Sequence, residues 1–517
     1  MKRIFTVLIL PLILWASPVL SKTYYVSPSG NDNNTGTISS PFATLQKGHD
    51  VAASGDIIYL RGGTYKNFTI KGSDANYHYV NQITKSGISF LAYPGETPVF
   101  NFSNVAATLR IGAFQVTGAN NVFQGFEITG VQVGTQKQSE CFQVSNGNGN
   151  IFRQLKMHDG AGVGIYIIKS SANNRVENCD AFNLIGVSGT SAGNIDGFGC
   201  HSKGTGNIFT GCRAWNCSDD GYDCITAAAA VTFDRCWSYS NGVNGGDGNG
   251  FKSGGWGSSV PPSTVPAHTV RFCLAANNHS HGFYANHQPG KSASWYNNTS
   301  YNNNAGDFDM LERVSPTDAT DMAGTREVLH NNLAFVGTLT KDLNESGSMV
   351  SNNSWTLSVS VSSADFLSID ATQMTKARLS DGSLPAITFM HLASGSDLID
   401  KGVNVGFSFN GSAPDLGCFE TGSSARINTD ENIQQNLNVV ASEQTLEITV
   451  FPNPSQTFFT LASKEVFEYT VYDMTGISMQ NGVANESVEI GHTLQSGMYI
   501  INIKTAKGNK LVKILKK

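Results

Sequence analysis

The fold is decided by a repeated stretch of sequence: VENCDAFNL at 176–184, FTGCRAWNC at 209–217 and FDRCWSYSN at 233–241. Each copy has an apolar residue, then a cysteine, then a small residue followed by an aromatic one. Three weaker copies follow. The equivalent position in the six copies, which we use as a marker, is occupied by Cys179, Cys212, Cys236, Cys273, Asn298 and Asn332. The markers are separated by 33, 24, 37, 25 and 34 residues. A period of about 25 residues with variable insertions is typical of the coils of a parallel β-helix. We therefore predict an all-β protein whose main domain is a right-handed parallel β-helix.

The cysteine markers predict an interior column. Stacked coils place residues of one repeat position about 4.8 Å apart, a distance that a disulfide could bridge. We favour reduced thiols, because a buried free cysteine packs as a small apolar side chain. Asn298 and Asn332 would continue the column as a ladder of amides.

The N-terminus has the features of an export signal. Lys2 and Arg3 precede a short apolar run at Ile4–Leu14, and Val19–Ser21 offers a small-residue cleavage site before Lys22. The apolar run is too short to favour a membrane anchor, and no later stretch could span a bilayer. We expect residues 1–21 to be a cleaved signal peptide and the mature protein to be soluble outside the cytoplasm.

The predicted β-helix covers residues 22–420. One plausible short helix lies near its start, from Pro41 to Ala53, before a strand at Asp56–Leu60. Such a helix would cap the first coil, which otherwise exposes an apolar interior and an unpaired strand edge. APDLGCFE at 413–420 resembles the ending of such domains, and a polar segment without aromatic residues follows at 421–443. We interpret this segment as a linker to a separate unit at 444–517.

The charge balance excludes some partners. Without Lys2 and Arg3 the chain has 32 basic residues against 40 acidic ones, a net charge of −8. A mildly acidic protein offers no electrostatic basis for binding nucleic acid. An acidic substrate would have to be held by local cations or by a metal ion.

Four carboxylates fall within 28 residues, in NIDGFG at 194–199 and NCSDDGYDC at 216–224. They belong to Asp196, Asp219, Asp220 and Asp223. Asp196 precedes Asp219 by about one coil, so stacking could bring all four together. Clustered acids repel one another unless a cation binds, and hard oxygen ligands favour Ca²⁺. The competing interpretation is that Asp-Gly pairs only form turns.

Lys252 follows in GGDGNGFKSGG at 245–255, with glycines on both sides that would let a substrate approach closely. A lone lysine on a loop is usually a solvated charge. Near a calcium site, however, its pKa could fall enough for it to accept a proton.

The D…DDxxD…GFK arrangement resembles family 9 of the polysaccharide lyases, and the resemblance extends over residues 23–420. It implies that Asp196, Asp219, Asp220 and Asp223 bind an essential Ca²⁺ and that Lys252 is the Brønsted base. The implied reaction is β-elimination on an acidic, pectin-like polysaccharide, with polygalacturonate favoured. His287, Lys291 and Arg313 lie beyond the site in the sequence and are candidates for binding further uronates.

Residues 444–517 alternate in the manner of a small β-sandwich. FPNP at 451–454, VYDMTG at 471–476, SGMYIINI at 496–503 and the basic KLVKILKK at 510–517 occur in order. They resemble the C-terminal sorting domain of the type IX secretion system of Bacteroidetes. This resemblance implies recognition by that secretion machinery and a released or cell-surface protein, which we expect to be a monomer.

Two alternatives stay open at this point. A β-helix glycoside hydrolase of the polygalacturonase type would use Asp219 and Asp220 as acid and base without calcium, but its characteristic His in a GHG-like context is not found. A non-catalytic glycan-binding surface protein would use the acids only as a structural ion site.

Overall fold

The computed structural model describes residues 21–255, 265–289, 293–422, 448–453, 455–463, 466–473, 478–505 and 508–516. The chain divides into two compact units, residues 1–426 and 427–517. All but one residue of the predicted signal peptide, and all but two of the predicted linker, lie outside the described residues. No helix in the described part of the chain is long and apolar enough to cross a membrane.

The first unit is a parallel β-helix built from three long sheets. The first sheet has twelve parallel strands. They are Thr23–Val26, Ile57–Leu60, Ser89–Ala92, Val122–Gln124, Ile151–Arg153, Arg175–Glu177, Asn207–Thr210, Val231–Asp234, Thr269–Arg271, Ser294–Tyr296, Val328–His330 and Met349–Ser351. The second sheet has ten. They are Gly63–Tyr65, Pro98–Asn101, Glu127–Thr129, Lys156–Gly160, Asp180–Leu184, Arg213–Trp215, Trp237–Tyr239, Leu274–Ala276, Thr299–Tyr301 and Leu333–Phe335.

The third sheet carries the candidate site. It has eleven strands, parallel except for the first pair. They are Gly72–Ser73, Tyr77–Ile83, Arg110–Val116, Glu140–Ser145, Val163–Lys169, Phe198–Ser202, Tyr222–Asp223, Phe251–Lys252, His281–Tyr284, Gly306–Asp309 and Thr340–Lys341. A two-stranded hairpin, Leu311–Ser315 with Asp318–Ala323, follows its tenth strand.

Stacked aromatic rings hold the third sheet in register from inside. The ring of Tyr222 stacks on Phe198 at 5.2 Å and on Phe251 at 4.6 Å, and Phe251 stacks on Phe283 at 5.1 Å. All four rings are buried. Because side chains alternate along a strand, the residues next to these rings face outward. The inward ladder therefore fixes which side chains meet on the outer face.

The predicted interior column is confirmed. The backbone N–H of Cys236 contacts Sγ of Cys273 at 3.4 Å, and the N–H of Cys273 donates to the side chain of Asn298. Asn298 in turn donates to Asn332, so the amide ladder continues the cysteines. All nine cysteines are free thiols. A second ladder, of Asn121, Asn150, Asn174 and Asn207, runs at another corner of the coils.

The N-terminal helix is shorter than predicted: it spans Leu45–Val51 rather than Pro41–Ala53. Asp32 explains its start, because one of its carboxylate oxygens accepts hydrogen bonds from the backbone of Ala43 and Thr44. Thr44 then caps the helix through its side chain. Short 3-10 turns lie at Ala192–Asn194, Val243–Gly245, Glu345–Gly347, Ser363–Asp365 and Ala371–Thr375.

The second unit consists of two small antiparallel sheets, as predicted. One contains Ile448–Phe451, Phe459–Ser463 and Ser487–Ile490; the other contains Phe467–Asp473, Ser478–Ala484, Gly497–Thr505 and Gly508–Lys516. Their buried side chains, among them Phe459 and Leu461 of the first sheet and Val471 and Ile501 of the second, form one core.

Candidate active site

Asp196, Asp220 and Asn249 occupy equivalent positions on three successive coils, each two residues before an inward aromatic ring. The N–H of Asp220 donates to Oδ1 of Asp196 at 3.2 Å. Asn249 donates to Oδ1 of Asp220 through both its backbone N, at 2.6 Å, and its Nδ2, at 2.8 Å. These bonds hold one oxygen of Asp220 and leave its Oδ2 for other contacts.

The glycine that follows each of these residues is required by close packing rather than by a turn. Gly197, Gly221 and Gly250 do not have left-handed φ angles. A Cβ on Gly221 would lie 2.3 Å from Oγ of Ser238, and one on Gly250 would lie 2.4 Å from the carbonyl oxygen of Gly282. The coil thus approaches its neighbours so closely that only glycine fits. Packing between coils therefore explains the glycines at these three positions, whereas Gly248, which follows Asp247, has a left-handed φ of 75°.

Three of the four predicted carboxylates form a tight cluster. Asp196, Asp219 and Asp220 each present an oxygen within 4.8 Å of the other two. All three side chains are buried. Asp219 is fixed by the backbone N–H of Asp247, which donates to its Oδ1 at 2.8 Å. Asp223 lies next to this group rather than in it, and its Oδ1 accepts from the N–H of Ile225 at 2.6 Å.

Burial and mutual repulsion raise the pKa of the clustered acids. Burial, followed by repulsion from the charge of Asp220, raises the pKa of Asp219 to about 8. Burial also raises the pKa of Asp220 to about 6, against the opposing effect of Lys252. The pKa of Asp196 lies well above its usual range through burial and the charge of Asp219. When these acids are ionised, the cluster concentrates negative charge that a bound cation would relieve.

Lys252 reaches this cluster from the next coil. Its Nζ lies 3.1 Å from Oδ2 of Asp220, 3.6 Å from Oδ2 of Asp223 and 3.4 Å from Oδ2 of Asp247. Burial lowers the pKa of Lys252, but the surrounding carboxylates, Asp223 first, raise it by more. The net direction is upward while the surrounding acids are ionised, and the lowered pKa expected beside a calcium ion stays a prediction. The reason for the upward shift is that the lysine is surrounded by acids and not merely by polar groups.

Tyr166 and His201 border the cluster on the side opposite Lys252. The Tyr166 hydroxyl lies 3.2 Å from Nδ1 of His201. The other ring nitrogen of His201 is 3.9 Å from Oδ1 of Asp223 and is buried, with no hydrogen-bond partner among the described residues. The carboxylate of Asp223 therefore lies between an imidazole and an ammonium group. Burial lowers the pKa of His201, which favours its neutral form.

His287 and Arg313 come together beside the coil that follows Lys252. Nδ1 of His287 is 2.6 Å from Oδ1 of Asp321, and Nε of Arg313 is 4.0 Å from the same oxygen. Nε2 of His287 lies 3.1 Å from the hydroxyl of Tyr284. The third predicted substrate residue, Lys291, lies outside the described residues.

Sequence reasoning missed Asp247 and Asn249. Asp247 is the more exposed acid at the site and touches both Asp219 and Lys252. Asn249 takes the place of an aspartate in the column that begins with Asp196. Asn249 could have been found from the sequence, because a polar residue, a glycine and an aromatic residue follow one another at 196–198, 220–222 and 249–251.

The donor set fits calcium. Two oxygens bound on opposite sides of one Ca²⁺ are about 4.6–5.2 Å apart, and the cluster spans up to 4.8 Å. Oδ2 of Asp220 is buried and accepts no well-aligned hydrogen bond from the described residues, although Nζ of Lys252 lies 3.1 Å away. A buried carboxylate oxygen without a well-aligned hydrogen bond, among other carboxylates, is a ligand that a hard cation would accept.

Fold and site together define a polysaccharide lyase built on a parallel β-helix. Residues 24–332 match the model described as Pel9A-like, right handed beta helix region. The chain belongs to this family, which confirms the resemblance found in the sequence and the right-handed sense of the coils.

Three similar proteins illustrate the relationship. Pectate lyase L of Dickeya dadantii (strain 3937) is 31% identical over 77% of this chain and 90% of its own length. A solved structure titled rhamnogalacturonan lyase is 38% identical, with a TM-score of 0.69 over 72% of this chain and 97% of that chain. The crystal structure of pectate lyase Pel9A is 29% identical, with a TM-score of 0.63 over 77% of this chain and 96% of that chain.

The second unit is a sorting domain. Residues 449–517 match the model described as secretion system C-terminal sorting domain. The protein is therefore an exported enzyme addressed to the type IX secretion system, in agreement with the prediction from FPNP, VYDMTG and the basic C-terminus.

Proposed function

We propose that this enzyme is a calcium-dependent lyase that cleaves polygalacturonate by β-elimination, with Lys252 as the base. The observation that carries the proposal is the meeting of Lys252 with the carboxylates of Asp220 and Asp223 from the preceding coil. The named relatives include pectate lyases, of which the match covers 90% and 96% of their own lengths, and this supports the substrate class.

Asp196, Asp219, Asp220 and Asp223 would hold the metal. A calcium ion at these residues would neutralise the charge around Lys252 and polarise the carboxylate of the bound uronate, so that its C5 proton becomes more acidic. Two of these acids are oriented by hydrogen bonds from the next coil: Asn249 donates to Asp220, and the backbone N–H of Asp247 donates to Asp219.

Lys252 would act on the C5 proton. Once the neighbouring carboxylates are neutralised, burial is the remaining influence on its pKa and favours the neutral amine. Nζ then accepts the C5 proton, the C4–O4 bond breaks, and a C4=C5 double bond forms in the new non-reducing end. No water is consumed, so a second carboxylate flanking a water is not required.

A second substrate has a specific observation in its favour. The rhamnogalacturonan lyase structure is more similar in sequence, at 38% identity, than the pectate lyases named above. Cleavage of a backbone in which uronates alternate with neutral sugars would use the same metal ligands and base.

An assay of unsaturated product decides between these functions. The purified enzyme is incubated with polygalacturonate, methylated pectin, rhamnogalacturonan and alginate, each with calcium or with a chelator, and near-ultraviolet absorbance is followed. We expect calcium-dependent absorbance with polygalacturonate. Absorbance with rhamnogalacturonan alone would favour the second substrate. Reducing ends formed without absorbance would contradict the lyase.

A further inference from the structure

Breaking the C4–O4 bond leaves negative charge on the departing oxygen, and a proton donor placed there would lower the barrier. In a galacturonate ring the C5–H and C4–O4 bonds point to opposite faces. A donor that assists the lyase should therefore approach the sugar from the side opposite Lys252.

Tyr166 lies on that side of the cluster. Tyr166, Gly199, Asp223 and Lys252 are consecutive partners across neighbouring strands of the third sheet. Three strand intervals of about 4.8 Å place the first and last of these residues about 14 Å apart along the stack. Asp223 lies between them, one interval from Lys252.

The side chains of Tyr166 and Lys252 extend toward one another along the stack of coils. Lys252 reaches back to Asp220 and Asp223 on the preceding coil. Tyr166 leans forward: a Cβ on Gly199 would lie only 2.8 Å from Cδ2 of the Tyr166 ring. The absent side chain of Gly199 thus leaves room for the tyrosine to extend over the next coil.

His201 fixes the hydroxyl of Tyr166. Its Nδ1 lies 3.2 Å from the hydroxyl oxygen, and the two rings meet edge to face at 4.9 Å. Burial, followed by the charge of Glu140, raises the pKa of Tyr166 and keeps its hydroxyl protonated. A protonated phenol held by a histidine, next to the acid cluster, has the chemistry of a proton donor.

Building on the proposed function, we propose that Tyr166 is the general acid that protonates the leaving O4, with His201 as its positioning residue. As the C5 proton passes to Nζ of Lys252, the C4–O4 electron pair moves to O4 and takes the phenolic proton of Tyr166. The phenolate accepts a hydrogen bond from Nδ1–H of neutral His201 until solvent returns the proton. The lysine releases its own proton to solvent, so the cycle balances.

The test separates protonation of the leaving group from binding. Two substrates are compared: a galacturonide oligomer, and the matching oligomer whose uronate bears fluoride at C4, which leaves without protonation. We expect Tyr166→Phe to lower kcat on the natural oligomer by about 10²–10⁴-fold while fluoride release, measured by electrode, stays close to the wild-type rate. His201→Ala should show the same selectivity to a smaller degree, and His201→Gln should recover part of the loss.

Tyr284→Phe is the matched control, since Tyr284 is the strand partner of Lys252 on the following coil. We expect it to affect both substrates equally. If Tyr166→Phe lowers kcat equally on both substrates without a change in thermal stability, the general-acid role of Tyr166 is overturned. The proposed lyase function would not be affected by that result. If Tyr284→Phe instead lowers kcat only on the natural oligomer, the proton donor would be Tyr284, on the coil that follows Lys252, and not Tyr166. Absence of unsaturated product from wild-type enzyme would overturn the proposed function and this inference together.

Discussion

Asp220 and Lys252 lie on successive coils, and Oδ2 of the aspartate is 3.1 Å from Nζ of the lysine. The same oxygen accepts no well-aligned hydrogen bond from the described residues. One carboxylate oxygen therefore faces both the proposed base and the proposed metal position. This arrangement links the charge of the acid cluster directly to the protonation of Lys252.

Lys252→Ala should abolish most of the elimination activity. We expect kcat to fall by at least about 10²-fold, because the C5 proton loses its acceptor. Product absorbance measured at saturating calcium checks this. Lys156→Ala is the control, because this exposed lysine pairs with Glu127 on the second sheet and not with the acid cluster on the third. Full activity in Lys252→Ala would eliminate the proposed mechanism.

Calcium should stabilise the β-helix through the acid cluster. A ligand that binds only the folded protein adds about 2.7 kcal/mol of stability at 100 times its Kd, so the Tm should rise on addition of calcium and fall again with a chelator. Asp196→Asn and Asp220→Asn should remove most of this response, whereas Asp397→Asn, at an exposed position, should keep it. A calcium response that survives both site variants would place the ion elsewhere.

The acid cluster should also make stability depend on pH when a chelator is present. The pKa of Asp219, about 8, and that of Asp220, about 6, lie above the ordinary value of 3.8. In this range the folded state binds more protons than the unfolded one, so these groups lower the free energy of unfolding as pH rises from about 4 to about 8. Calcium should oppose the loss, because the bound acids stay ionised and paired.

Urea unfolding at pH 5.5 and pH 8 measures this effect. Buried Glu140 and Glu327, whose pKa values burial raises to about 8, contribute in the same direction with or without calcium. The informative quantity is therefore the difference between wild type and Asp219→Asn. If the free energy of unfolding depends on pH in the same way in both proteins in the presence of chelator, Asp219 does not have the raised pKa on which this prediction depends.

Repetition in the sequence predicted the fold because each coil uses the same positions for the same purpose. The cysteine at 179, 212, 236 and 273 marks one corner, and its replacement by asparagine at 298 and 332 preserves that position. Fewer residues of the candidate site could be predicted from the sequence. Asn249 continues a column of aspartates, which becomes apparent only when strand register is known.

Other parts of the site depend on contacts that no repeat records. His287 and Arg313 meet through Asp321 on a hairpin inserted between coils. The direction of the pKa of Lys252 depends on how many carboxylates surround it, which sequence spacing does not specify. The structure was needed for both.

The asparagine ladder should be a main source of stability in the coils beneath the site. Asn174 accepts hydrogen bonds from both the backbone and the side chain of Asn150, and its Nδ2 donates to Asn207 and to the carbonyl of Gly147. Each buried group left unpaired costs about 1–3 kcal/mol, so Asn174→Ala should lower the free energy of unfolding by at least about 2 kcal/mol. Asn304→Ala, at an exposed position on a later coil, should change it by less than about 0.5 kcal/mol. Urea unfolding followed by circular dichroism compares the two, and equal losses would show that the ladder adds no special stability. Because a solenoid is stabilised by contacts between neighbouring coils, the Asn174 variant should also expose the backbone of the adjacent coils to hydrogen exchange.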